Sequence, residues 1–532
     1  MSRRSFWGWG LESDEPGKEQ RTQAAQRASQ RYGVELTSPP TPTDADLHLR
    51  EPRIQPRAAL AEIMSTDAHE RASHTYGKSY KDTIRAFHCD FPNPPDIVAF
   101  PRTESEVVAA LEWAGETNTT VMTYGGGSTV VGGVEAPEAA ERVLSLDLGR
   151  LDRVLEIDQT SRAARIQAGV LGPSLEDQLR PHGLTLRHYP QSFEWSTLGG
   201  WIATRSGGHY ATNHTHIDDF VESVRMVTPA GMWESRRLPG SGAGPSPDRM
   251  VLGSEGILGV ITEAWMRVQA RPVFRASAGV TFPSFAAASE AARMVVQAKL
   301  WPANCRVLDP VEAGNAAGLS GEQALLILGF ESSDIPQGAF IAEAVRIARE
   351  AGGAIADDQV IVSDGSKEGV GRQGAVGEWR NSFVRGPYGR NLTAGLGLVG
   401  DTFETAITWD RWPAFDAAVR EAVRDALQRV CGGGTISCRF THVYTDGPAP
   451  YYTFQGLGRQ GAEIEMWNEL KKAASDAVMA NGGTITHHHA VGRDHRPWYD
   501  IQRPPPFTAA LRAAKKAVDP AGILNPGVLI DP

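Results

Sequence analysis

The sequence predicts an α+β fold divided into more than one domain. The chain has 532 residues, which is more than a single domain usually contains. Short apolar segments alternate with amphipathic helical patterns from about residue 95 to about residue 270, and a similar series follows. An apolar fraction of 41% with 22% charged residues is ordinary for a globular chain and excludes wholesale disorder.

Charge and cysteine content exclude further classes of protein. The net charge is −10 and no basic face is predicted, so nucleic acid is not an expected partner. The four cysteines form no CxxC pair, which argues against a zinc site or a disulfide framework and favours a cytoplasmic protein. Arg3 and Arg4 precede acidic residues without an intervening apolar segment, so export is not expected. No apolar run approaches the ~20 residues that span a bilayer, and peripheral membrane contact stays open.

Periodicity and capping signals predict the elements of the first half. Residues 1–50 are polar and weakly periodic, which is typical of an arm laid on the surface rather than a domain. Thr103, followed three residues later by Glu106, is a capping box that opens a helix. The expected elements are a helix after residue 56, a strand at 97–100, a helix at 103–117, strands at 120–123, 143–148, 154–157 and 163–168, and a helix at 174–179.

The pattern changes near residue 270, where a second domain begins. Ser284 is a candidate N-cap for a helix, and Pro520 follows the last helix of the chain. The expected elements here are a helix at 285–298, a strand at 325–330, and helices at 339–351 and 506–518. The resulting division is an N-terminal segment at 1–87, a first domain at 88–272, a cap domain at 273–500 and a C-terminal segment at 501–532 that returns to the first domain.

A glycine-rich loop at 123–129 (TYGGGST) directly follows a predicted strand. Its glycines allow positive φ angles and a close approach of backbone N–H groups to an anion, and its hydroxyls can donate further bonds. A pyrophosphate suits such a loop. An isolated match of this kind is more often a turn without a ligand, and the loop is neither a Walker loop nor a GxGxxG fingerprint.

Two later segments share this character, at 191–208 (QSFEWSTLGGWIATRSGG) and 252–262 (LGSEGILGVIT). Together with 100–103 (FPRT) and 143–147 (VLSLD), they resemble in order and spacing the FAD-binding domain of the vanillyl-alcohol oxidase flavoprotein superfamily. The resemblance implies an FAD-binding domain of the p-cresol methylhydroxylase (PCMH) type with two subdomains. It also implies a cap domain with an antiparallel sheet flanked by helices.

By this resemblance FAD is the cofactor, with its pyrophosphate against Gly125, Gly126, Gly127, Ser128 and Thr129. Superfamily members that tether flavin to this loop carry a histidine there, and this loop has none, so noncovalent FAD is expected. The other implied cofactor-binding residues are Thr123, Tyr124, Gln191, Ser192, Ser196, Thr197, Thr204, Arg205, Ser206, Gly207, Glu255, Gly256, Gly259, Val260 and Ile261.

A second set of segments lies outside the glycine-rich motifs. They are 187–190 (RHYP), 304–309 (NCRVLD), 387–390 (PYGR), 401–405 (DTFET), 438–439 (CR), 451–452 (YY) and 481–493 (NGGTITHHHAVGR). Their order resembles the alkyldihydroxyacetonephosphate synthase family from about residue 90 to the C-terminus. The resemblance implies a transferase of ether-lipid synthesis, which exchanges the acyl group of acyl-dihydroxyacetone phosphate for a long-chain fatty alcohol.

The resemblance also implies roles for individual residues. Tyr451 corresponds to the catalytic tyrosine, and His487, His488 and His489 correspond to the essential histidine segment. In the implied reaction C1 of the substrate loses a proton, flavin N5 forms an adduct, the carboxylate leaves and the alcohol adds, without net redox change. A tyrosine or histidine must move the proton, and the sequence leaves open which one. The implied substrate-binding residues are Arg390, Arg306, His188 and Thr402.

Each of these residues has a structural interpretation as well. Three adjacent histidines suggest a metal site, but in an extended segment His487 and His489 point away from His488, so no metal is expected. A lone arginine or buried tyrosine is usually an ion-pair partner or a core aromatic. Only the family resemblance gives Arg390, Arg306 and Tyr451 a functional role.

Two other functions are compatible with the sequence, and three residues differ from the family pattern. The chain could instead be an FAD-dependent oxidoreductase acting on a 2-hydroxy acid or alcohol, or a flavin-binding protein without catalysis. Gln191, Asn391 and Ala490 stand where the family usually has Asp, Asp and Gly, which puts the details of the substrate in doubt. The expected partner is a small-molecule lipid substrate. A homodimer and peripheral contact of a cytoplasmic protein with a membrane follow from the resemblance and from the lipid substrate.

Overall fold

A computed structural model of the chain describes residues 3–210, 212, 216–363, 365 and 374–531. Each predicted segment includes a few residues outside these ranges: 1 and 2 in the N-terminal segment, 211 and 213–215 in the first domain, 364 and 366–373 in the cap domain, and 532 at the C-terminus.

Helices occur along the whole described chain, and none of them is long and apolar enough to cross a membrane. They are α1 (Lys18–Tyr32), α2 (Ala68–Ser73), α3 (Tyr80–Phe87), α4 (Glu104–Glu116), α5 (Gly172–Leu179), α6 (Leu198–Thr204), α7 (Pro247–Val251), α8 (Phe285–Gln297), α9 (Pro310–Ala317), α10 (Gly338–Glu350), α11 (Gly374–Arg385), α12 (Gly389–Thr393), α13 (Trp412–Cys431), α14 (Glu463–Ala480), α15 (Arg496–Gln502) and α16 (Pro505–Val518).

The described residues of the first half of the chain form three sheets. Their strands are β1 (Met64–Ser65), β2 (Ile97–Ala99), β3 (Thr120–Tyr124), β4 (Val143–Asp147), β5 (Val154–Asp158), β6 (Ala163–Gln167), β7 (Leu184–Thr185), β8 (Val221–Thr228), β9 (Gly231–Glu234), β10 (Val260–Arg267) and β11 (Gln269–Ala270). The first sheet has the order β1-β2-β4-β3, the second has the order β5-β6-β10-β8-β9, and β7 pairs with β11.

The two larger sheets differ in pairing and therefore in burial. Strands β2 and β3 are parallel to β4, and every residue of β2 and β4 is buried, as is typical of parallel strands covered on both faces. The second sheet is antiparallel. The two sheets have separate apolar cores, one around β2 to β4 with α4 and one around β6, β8 and β10 with α5 and α6.

The part of the second half that the structure describes forms one antiparallel sheet, the cap sheet, with the order β15-β12-β14-β13-β17-β18-β16. Helices α8, α10, α13 and α14 bury their apolar sides against one face of this sheet in the largest core cluster. The strands are β12 (Phe274–Phe282), β13 (Asn304–Leu308), β14 (Ala324–Ser332), β15 (Ile361–Ser363), β16 (Leu398–Glu404), β17 (Thr435–Val443) and β18 (Pro448–Leu457).

Alternation along the cap strands places polar side chains on the opposite face. Successive residues of a strand point to opposite faces of the sheet. Phe403 and Tyr452 pair across β16 and β18 and belong to the core beneath the helices. Their neighbours Glu404 and Tyr451 also pair with each other, and they lie on the face turned toward the first half of the chain.

The C-terminal segment packs back onto the first half. Leu524 forms a parallel bridge with Val121 of β3, and the Asn525 N–H donates to the Val121 carbonyl at 2.9 Å. Val528 and Ile530 are fully buried in the core of the second sheet. The end of the chain therefore stabilises the two larger sheets of the first half.

Most of the elements expected from the sequence are confirmed to within two residues at each end. Two expectations are wrong in detail. The helix expected after residue 56 is a short 3-10 helix, Ala58–Ile63, because Met64 is drawn into β1 by its pairing with Ala99. Thr103 caps α4 by accepting from the Glu106 N–H, but Glu106 accepts from the Arg102 N–H, so the reciprocal half of the capping box is not formed.

The N-terminal arm is exposed over much of α1 but is anchored in the interior by its first aromatic residues. Trp7 is fully buried, edge-on to Phe87 at 5.1 Å between ring centroids. The Arg21 guanidinium lies 4.8 Å from the centre of the Phe87 ring. The sequence of the arm is polar on average, but Phe6 and Trp7 both enter one small core. Two aromatic side chains bury enough apolar area to hold the arm there.

Asn391 attaches this arm to helix α12. The Trp9 N–H donates to Asn391 Oδ1 at 2.8 Å, and Asn391 Nδ2 donates to the Trp9 carbonyl at 2.9 Å. Arg21 Nη1 donates to the Asn391 carbonyl at 2.8 Å. Asn391 is 1% exposed. An aspartate cannot donate to the Trp9 carbonyl, so the departure from the family pattern at this position has a structural reason.

We expect Asn391→Asp to lower the free energy of unfolding by about 2 kcal/mol, because it removes a buried donor and places a carboxylate beside a carbonyl oxygen. Denaturant unfolding of the purified protein measures the change. Asn381→Asp, on the exposed side of α11, is the matched control and should shift stability by less than ~0.5 kcal/mol. Equal stability of the two variants would show that the paired amide does not hold the arm.

Candidate active site

A cavity of about 570 Å³ is lined by both halves of the chain. The glycine-rich loop, the segment around α6 and the start of β10 contribute residues from the first half. Strands β13, β16, β17 and β18 contribute side chains from the cap sheet. A ligand in this cavity would contact both halves at once.

The glycine-rich loop has no room for side chains and presents free polar atoms. A Cβ atom at Gly126 would lie 1.8 Å from the Trp195 carbonyl oxygen, and Gly127 has a φ of +64°. Thr123 Oγ1 and Asn525 Oδ1 are buried without a partner among the described residues, and both residues line the cavity. A loop of close-packed backbone beside unpaired polar groups fits the polar parts of a dinucleotide.

Most of the expected cofactor-binding residues line the cavity, and two do not. Arg205 is turned away and forms an ion pair with Asp218 at 2.8 Å. Val260 is fully buried in the core beneath the first sheet. Those that line the cavity are Thr123, Tyr124, Gly125, Gly126, Gly127, Ser128, Thr129, Gln191, Ser192, Ser196, Thr197, Thr204, Ser206, Gly207, Glu255, Gly256, Gly259 and Ile261.

The three adjacent histidines lie in a tight turn around one buried carboxylate. The backbone N–H groups of His487 and His489 donate to the two oxygens of Glu404 at 2.7 and 2.9 Å, and the His488 N–H donates at 3.1 Å. The Thr486 hydroxyl donates to the same carboxylate at 2.6 Å. Glu404 is 1% exposed. The segment is therefore not extended, and the alternating arrangement expected from the sequence is wrong.

The carboxylate of Glu404 is held in its charged form. Burial opposes ionisation, but the neighbouring imidazoles, His488 first, outweigh it and hold the pKa of Glu404 well below its ordinary value. Convergent N–H donors favour the same charged form. Glu404 therefore fixes the backbone of the histidine turn to the edge strand of the cap sheet.

Glu255 holds the other end of this turn. Its two oxygens accept from the N–H groups of Val491 and Gly492 at 2.9 and 2.8 Å, and burial raises its pKa to about 7. Ala490, between the two glutamate contacts, has a φ of +73°. This is the left-handed region that favours glycine, so Ala490 occupies a strained position where the family usually has Gly.

The histidines divide into two that line the cavity and one behind them. His488 and His489 line the cavity. His487 lies behind them, and its Nε2 forms a hydrogen bond of 2.7 Å with the Tyr444 hydroxyl. His442 lies 4.7 Å from His487 between ring centroids. The ring nitrogens of His442, His487 and His488 come within 4.8 Å of one another, although both nitrogens of His487 are already engaged with Tyr444 and His488.

Tyr451 faces the cavity beside His488 and His489. Its hydroxyl donates to Thr402 Oγ1 at 3.1 Å, and the Arg439 guanidinium lies 4.3 Å from the centre of its ring. Burial raises the pKa of Tyr451, and burial lowers the pKa of His489 to about 3. At neutral pH the cavity therefore holds a protonated phenol next to a neutral imidazole.

Arg306 is a cation of the cavity that has no carboxylate partner among the described residues. Its Nε donates to Asn304 Oδ1 at 3.2 Å and one Nη donates to the His209 carbonyl at 3.3 Å. The other Nη is buried without a partner among the described residues, and burial lowers the pKa of Arg306 to about 9. A buried guanidinium with a free donor is a site for a phosphate or carboxylate.

Arg390 lines the cavity but is already engaged. One Nη donates to the Lys78 carbonyl at 2.6 Å and the other donates to Asp401 Oδ1 at 2.9 Å. His188 is behind the wall of the cavity, where it contacts Ser206 Oγ at 3.2 Å, and burial lowers its pKa to about 3. Of the expected substrate-binding residues, the structure thus places Arg306, Arg390 and Thr402 on the cavity.

Comparison with known proteins now gives the family. Residues 95–235 match the model of the FAD binding domain, and residues 271–529 match that of the FAD linked oxidases, C-terminal domain. An alkyldihydroxyacetonephosphate synthase of Dictyostelium discoideum is 31% identical over 88% of this chain and 79% of its own length. The chain belongs to the alkyldihydroxyacetonephosphate synthase family. FAD is its cofactor.

Solved structures agree with this membership. A structure titled alkyldihydroxyacetonephosphate synthase superposes with a TM-score of 0.78 at 27% identity, over 94% of this chain and 92% of the other. A p-cresol methylhydroxylase structure superposes with a TM-score of 0.69 at 14% identity, over 88% of this chain and 94% of the other, which shows the fold. The expected α+β architecture with a PCMH-type FAD-binding fold is confirmed.

Sequence reasoning missed several residues of this family site. Glu404 lies two residues after Thr402 in the segment that resembled the family, but nothing in the sequence shows that it faces a turn more than eighty residues away. His442 also lines the cavity without having been singled out, and so does Arg439, which belongs to a segment that resembled the family but was given no role there. Alternation with Cys438 and Phe440 on β17 predicts that Arg439 lies on a polar face. The same alternation does not place His442 there, because the strand register shifts between Phe440 and His442.

We expect Glu404→Gln to lower the free energy of unfolding by about 3 kcal/mol at pH 7, because an amide cannot accept from all four donors of the turn. Since folding lowers the pKa of Glu404, its contribution is present above about pH 4.5 and is lost as the pH falls below that value. The difference between the variant and the wild type should therefore shrink on acidification. Denaturant unfolding between pH 7 and pH 4 measures it, with the exposed Glu421→Gln of α13 as control.

We expect Ala490→Gly to raise the free energy of unfolding by about 0.5 kcal/mol, because glycine relieves the left-handed strain at some cost in chain entropy. The exposed Ala417 of α13 has no such strain, and Ala417→Gly should lower stability by about 0.5 to 1 kcal/mol. Thermal unfolding of both variants gives the comparison. Destabilisation of the same size in both would contradict the strain at Ala490.

Proposed function

We propose that this chain exchanges the acyl group of acyl-dihydroxyacetone phosphate for a long-chain fatty alcohol. In this exchange the C1–O bond to the acyl group breaks and a C1–O bond to the alcohol forms. The fatty acid leaves, the proton of the alcohol balances it, and no net oxidation occurs. When bound, FAD supplies the electron-accepting isoalloxazine ring for the exchange. The division into an FAD-binding domain at 88–272 and a cap at 273–500 is part of the proposal.

The observation that carries this proposal is one cavity holding an unpaired cation beside a phenol and two imidazoles. The substrate carries a phosphate, and its acyl group departs as a carboxylate. The free Nη of Arg306 suits either anion. His488, His489 and Tyr451 face the same cavity, where a proton must be taken from C1 and returned.

We assign the base to His488. Its Nδ1 lies 3.4 Å from Glu404 Oε2 and 3.0 Å from His487 Nδ1, which leaves Nε2 for the cavity. A carboxylate behind an imidazole stabilises the imidazolium that forms when the ring takes a proton. Burial keeps Tyr451 protonated at neutral pH, so its hydroxyl serves as a donor to a substrate oxygen.

The test of the function is the product. Purified protein with bound FAD is mixed with palmitoyl-dihydroxyacetone phosphate and hexadecanol, and mass spectrometry follows the ether and the released palmitate in equal amounts. Reduction of the flavin by a 2-hydroxy acid or an alcohol, with no ether formed, would replace the transferase with the oxidoreductase alternative. If the protein binds flavin but neither forms the ether nor reduces the flavin, the result would support a flavin-binding protein without catalysis.

We expect His488→Gln to slow loss of deuterium from C1 of the labelled substrate by about 10²- to 10⁴-fold, which is the usual contribution of a general base. Tyr451→Phe should slow ether formation as well, because its hydroxyl faces the cavity. Tyr452→Phe is the matched control, since the neighbouring ring points into the core and its hydroxyl donates to Asp416 at 2.9 Å. Wild-type exchange in His488→Gln would refute the assignment of the base.

We further propose a cytoplasmic protein that contacts membranes peripherally. All four cysteines are free, which suits a reducing compartment. Ile501 and Phe507, at the junction of α15 and α16, are 75% and 50% exposed, and a lipid substrate has to be drawn from a membrane. Sedimentation with phosphatidylcholine vesicles tests the contact, and Ile501→Ser with Phe507→Ser should abolish it.

The homodimer expected from the resemblance is tested by analytical ultracentrifugation.

A further inference from the structure

Lys78 is a buried cation without an anion. Its side chain lines the cavity although the residue is only 8% exposed. Among the described residues no carboxylate comes within ion-pair distance of its ammonium group, whereas the nearby Lys81 pairs with Asp494 at 2.7 Å. A buried charge that is left unpaired costs free energy, so its presence points to a ligand of opposite charge.

The position of Lys78 is fixed by the glycine-rich loop. Its N–H donates to the Thr129 carbonyl at 2.6 Å. A Cβ atom at Gly77 would lie 2.3 Å from that same carbonyl oxygen, so the two backbone segments are in direct contact. The Lys78 carbonyl in turn accepts from Arg390 at 2.6 Å. The backbone of Lys78 is therefore bonded to the last residue of the glycine-rich loop.

The charges around Lys78 make this site attractive to an anion. Burial is the main reason that the pKa of Lys78 falls to about 7, and the guanidinium of Arg4 lowers it further. The charges of Asp82 and Glu15 raise the pKa of Lys78, but neither carboxylate is bonded to its ammonium group. Asp82 accepts from the Ser79 N–H, and Glu15 accepts from the Ser5 hydroxyl at 2.6 Å. Arg4 also donates to the Gly126 carbonyl, on the loop itself.

We propose that Lys78 donates a charge-assisted hydrogen bond to a phosphate oxygen of the FAD pyrophosphate. The glycine-rich loop offers backbone N–H groups and hydroxyls but no cation of its own. Lys78 supplies that charge from a segment that precedes the matched FAD-binding domain. The phosphate of the substrate has the same chemistry, but the direct contact between Lys78 and the loop favours the cofactor. This inference rests on FAD as cofactor and not on the transferase reaction.

The test is the release of FAD from the holoenzyme on dilution, followed by the rise in flavin fluorescence. Lys78→Met should release FAD at least about 10-fold faster than the wild type, since a charge-assisted hydrogen bond is lost. Lys78→Arg, which keeps the charge, should recover most of the difference. Lys472→Met, on the exposed side of α14, is the matched control and should release FAD at the wild-type rate.

A second measurement separates the cofactor from the substrate as the source of the phosphate. Binding of dihydroxyacetone phosphate to holoenzyme loaded with saturating FAD should be the same in Lys78→Met and the wild type. An unchanged rate of FAD release in Lys78→Met would overturn the proposal. So would a loss confined to dihydroxyacetone phosphate binding, because it would assign Lys78 to the substrate. Neither readout requires turnover, so failure here and failure of the proposed function are distinguishable.

Discussion

The buried carboxylate of Glu404 is the interaction on which the arrangement of the site depends. It lies on the edge strand of the cap sheet and accepts hydrogen bonds from the N–H groups of three successive residues of a distant turn. The N–H groups of His487 and His488 have no other acceptor among the described residues, and the His489 N–H has only the Thr486 hydroxyl besides. Glu255, from the first half of the chain, satisfies the next two N–H groups. The histidine turn is thus held by one carboxylate from each half.

This arrangement explains why two adjacent histidines can face one cavity. An extended strand would separate them, whereas a turn wound around a single acceptor brings their rings together. The strain of a left-handed Ala490 is tolerated because the hydrogen bonds on both sides determine the backbone there. Rigid placement of these side chains is also what the proposed proton transfer at C1 would require.

The cations of the cavity fall into two groups with different consequences. Arg390 and Arg439 are paired with Asp401 and Glu312, so their charges are already balanced within the protein. Arg306 and Lys78 have no such partner among the described residues. Because buried unpaired charges are costly, these are the two positions at which we propose that ligand anions bind, and they lie on different halves of the chain. One cavity can therefore hold a cofactor phosphate and a substrate anion separately.

The sequence by itself determined the local elements, the α+β class, the cofactor loop and the family, because each of these depends on neighbouring residues or on motifs in fixed order. Strands such as β4 and helices such as α8 carry their periodicity and caps within a few residues. Only the tertiary structure decided that Glu404 organises the histidine turn, that Arg390 is engaged while Arg306 is free, and that Trp7 and Trp9 enter the interior. These are contacts between residues far apart in the chain. Burial and pairing across such distances arise only when the sheets and the cap pack together, and no local pattern encodes them.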